Sequence, residues 1–317
     1  METTPIRRPR FDRQVRPNFQ ITDRDTEIIR QVAKHRLLNS AHIIALLGSS
    51  SQVASRRLNL LYHHHYLDRP RAQLDYYTRG GSQPMVYALG NRGADFLAEK
   101  FGLARGKVDW FKKNQTLGRL FIRHTLGVAE FMIRLELACR RIDRVRLIET
   151  DEMLAGASPR TQARRNPCAW KVGFSAQGQR QSIGLIPDRI FGLHFTDKPE
   201  GGNEYWFFLE IDRATMPVIR RNLRQTSFYK KMRGYFESRQ AWKRDPHVRP
   251  FPITNFRVLT VTTTQERIHN LIAANKAFYQ GQGSKIFLFT DQAACLSGNI
   301  LTLPWQSGTG DQVRLID

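Results

Sequence analysis

Between Thr22 and Leu89 the chain runs through three helical patterns and then a strand, a glycine-rich turn and a second strand. This order constrains the fold more than any other feature of the sequence. Thr22 precedes an acidic first turn with Asp23 and Asp25, and Ile28, Ile29, Val32 and Ala33 recur at helical spacing, so the spacing predicts a helix over residues 23 to 36. Asn39 or Ser40 is placed to cap a second helix, apolar from Ala41 to Leu47 apart from His42 and stopped by Gly48. The serines at 49, 50 and 51 open a third, which gathers Val53, Ala54, Leu58, Leu61 and Tyr62 on one side. Leu74–Thr78, the turn from Arg79 to Pro84 and Met85–Leu89 complete the pattern as a hairpin.

Three helices followed by a hairpin is the winged helix-turn-helix order, in which the third helix enters the major groove of DNA and the hairpin tip meets backbone or minor groove. The residues placed to touch DNA are Ser51, Gln52, Ser55, Arg56, Arg57 and Asn59 on the third helix and Arg79 at the hairpin tip. Adjacent arginines do not share one helical face fully, so the competing reading of Arg56 and Arg57 is a solvated surface. His63, His64 and His65 diverge by about 100° each on a helix, unlike the i, i+4 pair that suits zinc, and read as polar surface at a helix end.

The partner implied by composition is a polyanion. Fifty Lys and Arg stand against 28 Asp and Glu, a formal net charge of +22, and a 41% hydrophobic content is ordinary for a folded chain. No run approaches the roughly 18 apolar residues of a membrane span, and no apolar segment follows the basic N-terminus as a signal peptide would require. Double-stranded DNA in the cytoplasm is therefore the expected partner and setting, with no membrane contact. Cys139, Cys168 and Cys295 lie far apart, which argues against a disulfide framework or a zinc finger.

Four regions are expected: a mobile basic arm over residues 1–18, a winged helix domain over 19–104, a linker and connecting helix over 105–142, and a nuclease-like domain over 143–317. The last carries strand patterns at Val145–Glu149, Gly184–Leu193, Glu204–Asp212, Phe256–Thr263 and Lys285–Thr290, with helical patterns at 217–238 and 265–279. Residues 156 to 180 read as a long basic loop. A mixed sheet with helices on its faces makes the fold class α+β or α/β.

The strand ends of this second region hold the sharpest constellation. Glu149 ends one strand, Asp188 opens another, and Glu210 and Asp212 close a third on the same face, two residues apart. Carboxylates gathered at one sheet edge suit a hard divalent cation such as magnesium, with Glu149, Asp188 and Glu210 as ligands. The competing reading pairs these acids with neighbours such as Arg189 and Arg213. Arg220, Arg221, Arg224, Lys230, Lys231 and Arg233 give the helical pattern at 217–238 a cationic character suited to a phosphate backbone.

Asp188 and the Glu210-x-Asp212 pair resemble the PD-(D/E)xK restriction-endonuclease-like fold, in which an Asp and a Glu bind metal and a Lys follows two positions later. Asp212 stands in place of that lysine, and Lys230, Lys231 or Arg220 is placed to substitute; Asp188, Glu210, Asp212 and Lys230 are then the catalytic candidates. Taken whole, residues 20 to 280 resemble the bacterial replication-relaxation family of plasmids and mobile elements. The resemblance rests on Thr22-Asp23-Arg24-Asp25, Arg56-Arg57-Leu58, Tyr66-Leu67-Asp68-Arg69, Val86-Tyr87-Ala88-Leu89-Gly90, His124-Thr125-Leu126, Pro187-Asp188 and Leu209 to Thr215. It implies a winged helix joined to a restriction-endonuclease-like mixed-sheet domain and a role in plasmid replication or DNA transfer, in company with other replication or transfer proteins. A DNA-binding protein, a magnesium-dependent endonuclease and a repressor that dimerises through its second domain are the three functions to be told apart.

Overall fold

The computed structural model describes residues 10–16, 19–73, 83–103, 105, 108–176, 179–220, 225, 227–279 and 281–316. Two compact units divide the chain, Met1–Ile133 and Arg134–Asp317.

In the first unit the elements run α1 (Asp23–His35), β1 (Leu37–Asn39), α2 (Ser40–Leu47), α3 (Ser51–His63), β2 (Leu67–Asp68), β3 (Val86–Leu89), α4 (Asn91–Phe101) and α5 (Trp110–Gln115). α6 (Arg119–Cys139) crosses the division between the units. The capping signals act as read. Thr22 accepts from the Asp25 amide while Asp25 reaches back to Thr22, Asn39 does the same with His42, and the Ser50 hydroxyl receives the Val53 amide. His42 is polar within an apolar helix because its second ring nitrogen meets Glu130, 2.8 Å away. β1, β3 and β2 form a three-stranded antiparallel sheet. This order is compatible with a winged helix. The expected first hairpin strand, Leu74–Thr78, and Arg79 at its tip lie outside the described residues.

The basic arm expected over residues 1–18 is anchored where it is described. Arg13 donates to the Tyr62 and Leu67 carbonyls and to Asp68, and its guanidinium lies 4.3 Å from the Tyr62 ring centroid. The Gln14 amide donates to His63 Nδ1 at 3.0 Å, and the Tyr62 hydroxyl donates to the Phe11 carbonyl. Burial, reinforced by Arg16, Arg69 and Arg13, pushes the His63 pKa down to about 4, which keeps that nitrogen an acceptor. Aromatic faces and a buried carboxylate hold these cations, a source of order that a composition-based reading does not weigh.

In the second unit β4 (Val145–Ile148), α7 (Thr150–Ala155) and α8 (Pro159–Gln162) precede a hairpin of β5 (Trp170–Ala176) and β6 (Gln179–Leu185). The segment expected as a long basic loop, residues 156–180, thus holds α8, all of β5 and the start of β6. Then come β7 (Arg189–Phe195), β8 (Glu204–Ile211), α9 (Phe228–Arg244), β9 (Phe256–Thr262), α10 (Gln265–Phe278), β10 (Phe287–Asp291), α11 (Gln292–Ser297), β11 (Trp305–Ser307) and β12 (Gln312–Val313). The single strand expected from Gly184 to Leu193 is two strands, interrupted at residues 186–188 where Pro187 supplies no backbone donor. The seven-stranded sheet has the order β12-β11-β10-β9-β8-β7-β4. β4, β7 and β8 pair antiparallel, β8 and β9 pair parallel, and α9 lies in the crossover between them. The class is α+β with a mixed sheet, as expected.

The core beneath α9 is aromatic, with Trp170, Phe208, Tyr235, Trp242, Phe251 and Phe256 all buried. Trp170 donates its indole N–H to Ser238 at 2.9 Å, which satisfies the one polar atom it carries inside. Gly234 lets α9 approach the hairpin, since a Cβ there would stand 2.6 Å from the Ile183 side chain. α9 begins at Phe228, capped by Ser227, so the helix expected from residue 217 starts later. Pro217 and the described residues 218–220 lie before it, outside any helix.

Candidate functional site

Antiparallel register brings Asp188 and Glu210 together. Arg189 on β7 pairs with Leu209 on β8, so Asp188, one residue before β7, falls beside Glu210, one residue further along β8. The turn is fastened at both atoms: the Asp188 amide donates to the Leu209 carbonyl at 2.9 Å, and Asp188 accepts the Ile211 amide at 2.7 Å. Glu210 is 3% exposed.

Both oxygens of Glu210 are met from α9. Lys231 donates to Oε2 and the Tyr235 hydroxyl donates to Oε1. Lys231 and Tyr235 stand four residues apart and so share a helix face, whereas Lys230 is turned about 100° away and gives its backbone amide to the Ser227 cap at 3.2 Å. Lys231 is therefore the α9 lysine at the carboxylates, in place of the catalytic candidate Lys230. Arg220 bonds Gln225 at 2.9 Å.

Burial dominates the electrostatics of this carboxyl. It pushes the Glu210 carboxyl up to about 7, with the Asp188 charge adding to it and Lys231 and Tyr235 opposing it. Burial lowers the pKa of Lys231, but Glu210, backed by Asp188 and Asp212, outweighs it and holds the ammonium above its ordinary value. Burial and Glu210 likewise drive the Tyr235 phenol well up, so it remains a donor at neutral pH.

Asp212, expected among the catalytic residues, has other partners. Past the end of β8 it accepts from Arg267 of α10 at 2.8 and 3.3 Å and from the Thr262 hydroxyl at 2.9 Å. It also takes the amide of Ala214, which sits at a positive φ of 56°. Asp212 fastens the strand end to α10, and strand alternation alone does not reveal that.

Glu149 precedes α7 and acts elsewhere: burial, then Glu136 and Glu149, push the Cys139 thiol up, while the charges acting on Glu210 are those of Lys231 and Asp188. Among the described residues no three His, Cys, Asp or Glu side chains form a metal cluster, so the expected trio of Glu149, Asp188 and Glu210 is not assembled. Asp188 and Glu210 remain as a hard two-carboxylate set. That fits magnesium, which is ordinarily held by one or two carboxylates with water and phosphate oxygens completing its shell.

On α3 the side chains expected to face DNA separate into two groups. Ser51, Gln52, Ser55 and Arg56 are exposed, with Val53 beside them 42% exposed. Arg57 instead grips Asp25 of α1 through two nitrogens, reaches the Gln20 carbonyl at 3.0 Å and lies 5.0 Å from the Phe19 ring centroid. Asp25 is fully buried; burial raises its pKa, and Arg57 and Thr22 overcome that and hold it below the usual carboxylate value. Asn59 accepts from Arg69 at 3.0 Å. Arg57 and Asn59 thus hold the unit together, while Arg56 projects from it.

A family model described as replication-relaxation matches residues 29–249, well over half of the chain. Comparisons with curated proteins and with solved structures found no match. The matched span includes α3 with its exposed Arg56, the Asp188 turn, Glu210 and the lysine of α9 that meets it. This chain belongs to the replication-relaxation family, which supports a role in replication or mobile-element function.

Proposed function

We propose that this protein binds duplex DNA of a plasmid or other mobile element in the cytoplasm, through a winged helix in its first unit, and cuts it at Asp188, Glu210 and Lys231. The observation that carries the reading is Lys231 on Glu210: the cation absent from position 212 of the strand reaches the same carboxylate from α9. In this reading Ser51, Gln52, Ser55 and Arg56 present one face of α3 to the major groove. Asp188 and Glu210 are the groups that would hold magnesium, which supplies charge neutralisation at a scissile phosphate and a more acidic water. Lys231 places a positive charge beside that carboxylate, where it orients the phosphate or the attacking water. Tyr235 fixes the orientation of Glu210.

A second reading, binding without cleavage, is favoured by a specific observation: Lys231 and Tyr235 between them occupy both Glu210 oxygens. Supercoiled plasmid incubated with the protein and magnesium or manganese separates the two. Metal-dependent nicking that disappears in Asp188→Ala and Glu210→Ala supports cleavage; intact duplex binding with no nicking leaves the binding role alone.

A further inference from the structure

A cavity of about 660 Å³ opens in the second unit at the opposite end of the strand that carries Glu210. Phe195 of β7, Tyr205 of β8 and Arg257 of β9 line it together with Arg144, Lys198 and Arg314. Tyr205 and Glu210 are five residues apart on β8, so about 16 Å separates the cavity from the carboxylates. It is a different site.

Its charge is one-sided. Four cationic side chains line it, and among the described residues no Asp or Glu does. Arg144 has Asp197 at 3.2 Å, but among the described residues no carboxylate lies within ion-pairing distance of Lys198, Arg257 or Arg314. Like charges gathered in a concavity with so little internal compensation are poised for an external anion. The walls also position the cations: Lys198 donates to the Tyr205 hydroxyl at 3.1 Å and lies 4.3 and 4.6 Å from the Phe195 and Tyr205 ring centroids.

We propose that this cavity binds a nucleotide through its phosphate. A phosphate monoester offers close to two negative charges and three acceptor oxygens, which suits a guanidinium cluster better than a carboxylate with one charge. The volume falls in the range of small-ligand sites, and Tyr205, 39% exposed at the wall, gives a base an aromatic surface. Two sources carry this chemistry, a free nucleotide and the phosphorylated end of a single DNA strand.

The test uses the full chain without divalent metal, so it does not depend on cleavage. Calorimetric titration with deoxyadenosine 5′-monophosphate is set beside anisotropy of a labelled hexanucleotide with and without a 5′-phosphate. Binding of the mononucleotide that weakens at least tenfold in the Arg257→Ala, Arg314→Ala double variant, and is unchanged in Asp188→Ala, supports the site. A further gain in affinity for the phosphorylated hexanucleotide over its 5′-hydroxyl form assigns it to strand ends; equal affinity for mononucleotide and strand assigns it to free nucleotide. No binding of any probe, or binding that the double variant leaves intact, overturns the proposal. The exposed Arg314→Ala substitution alone, expected to cost at least threefold, keeps the test valid if the double variant melts early.

Discussion

Lys230 and Lys231 are chemically identical and adjacent, and about 100° of helical rotation assigns them different work. Lys231 meets a buried carboxylate through its ammonium; Lys230 bonds the Ser227 cap through its backbone amide. Lys231→Ala is therefore expected to lower metal-dependent nicking by at least a hundredfold with duplex affinity retained, and Lys230→Ala to nick within about threefold of wild type. Gel quantification of nicked plasmid checks both. The Glu210 carboxyl also makes a pH prediction. Its folded pKa of about 7 lies above the 4.5 of an exposed glutamate, so between those values the folded protein keeps a proton that the unfolded chain loses. Stability then falls as pH rises through that window, by about 3 kcal/mol in order of magnitude at 1.36 kcal/mol per pH unit. Denaturant midpoints at pH 5 and pH 8 without divalent ions should show this loss in wild type and little of it in Glu210→Gln. The acids themselves were legible in the sequence, because strand ends and a two-residue spacing are visible there. What each acid pairs with was not: Asp212 meets Arg267, fifty-five residues away, and no local pattern encodes that distance.

At the scale of elements, α3 is where one arginine of a pair is given to the fold and the other is left outside it. Removing Arg57 strands Asp25, a fully buried carboxylate, so Arg57→Ala is expected to cost about 3 kcal/mol of stability. Arg56→Ala should leave the melting temperature within about a degree and weaken duplex binding uniformly across sequences, reducing the salt slope by about one if it contacts phosphate. Melting curves and anisotropy titrations on the two variants separate the roles. Helices α1, α2 and α3 were readable because cap, periodicity and stop coincide at Thr22, Asn39, Ser50 and Gly48. The start of α9 was not, since basic residues on both sides of residue 227 continue the helical composition while only Ser227 marks the N-terminus. The β5–β6 hairpin was missed because its strands carry Lys171, Gln181 and Ser182 among the apolar residues, and only one face packs under α9.

Across the whole molecule the excess of positive charge is distributed among separate tasks. Some of it is consumed internally, by Arg13 on Asp68, Arg57 on Asp25 and Arg267 on Asp212. Others, such as the exposed Arg56 and the Lys198, Arg257 and Arg314 of the cavity, have no carboxylate within ion-pairing distance among the described residues. If six phosphates are contacted, duplex affinity should fall about a thousandfold between roughly 50 and 200 mM salt, read by anisotropy across that range; a flat dependence excludes a phosphate-driven interface. No described helix is long and apolar enough to cross a membrane. Fold class was legible at this scale because the change from helical to alternating periodicity is a property of long segments. The cavity at the far end of β8 was not, because Arg144, Lys198, Arg257 and Arg314 each lie more than fifty residues from the next and meet only through sheet topology.

Placing the lysine on α9 also bears on how such proteins are to be found. A search built on an acid followed two positions later by lysine passes over this chain, because Asp212 fills that slot. The geometry dictates another signature: an acid near a strand end, then Lys-x-x-x-Tyr opening the next helix behind a serine cap, as Glu210, Ser227, Lys231 and Tyr235 stand here. Here sixteen residues separate the end of β8 from the start of α9, so a pattern confined to the strand is blind to the lysine while one anchored on the two elements is not.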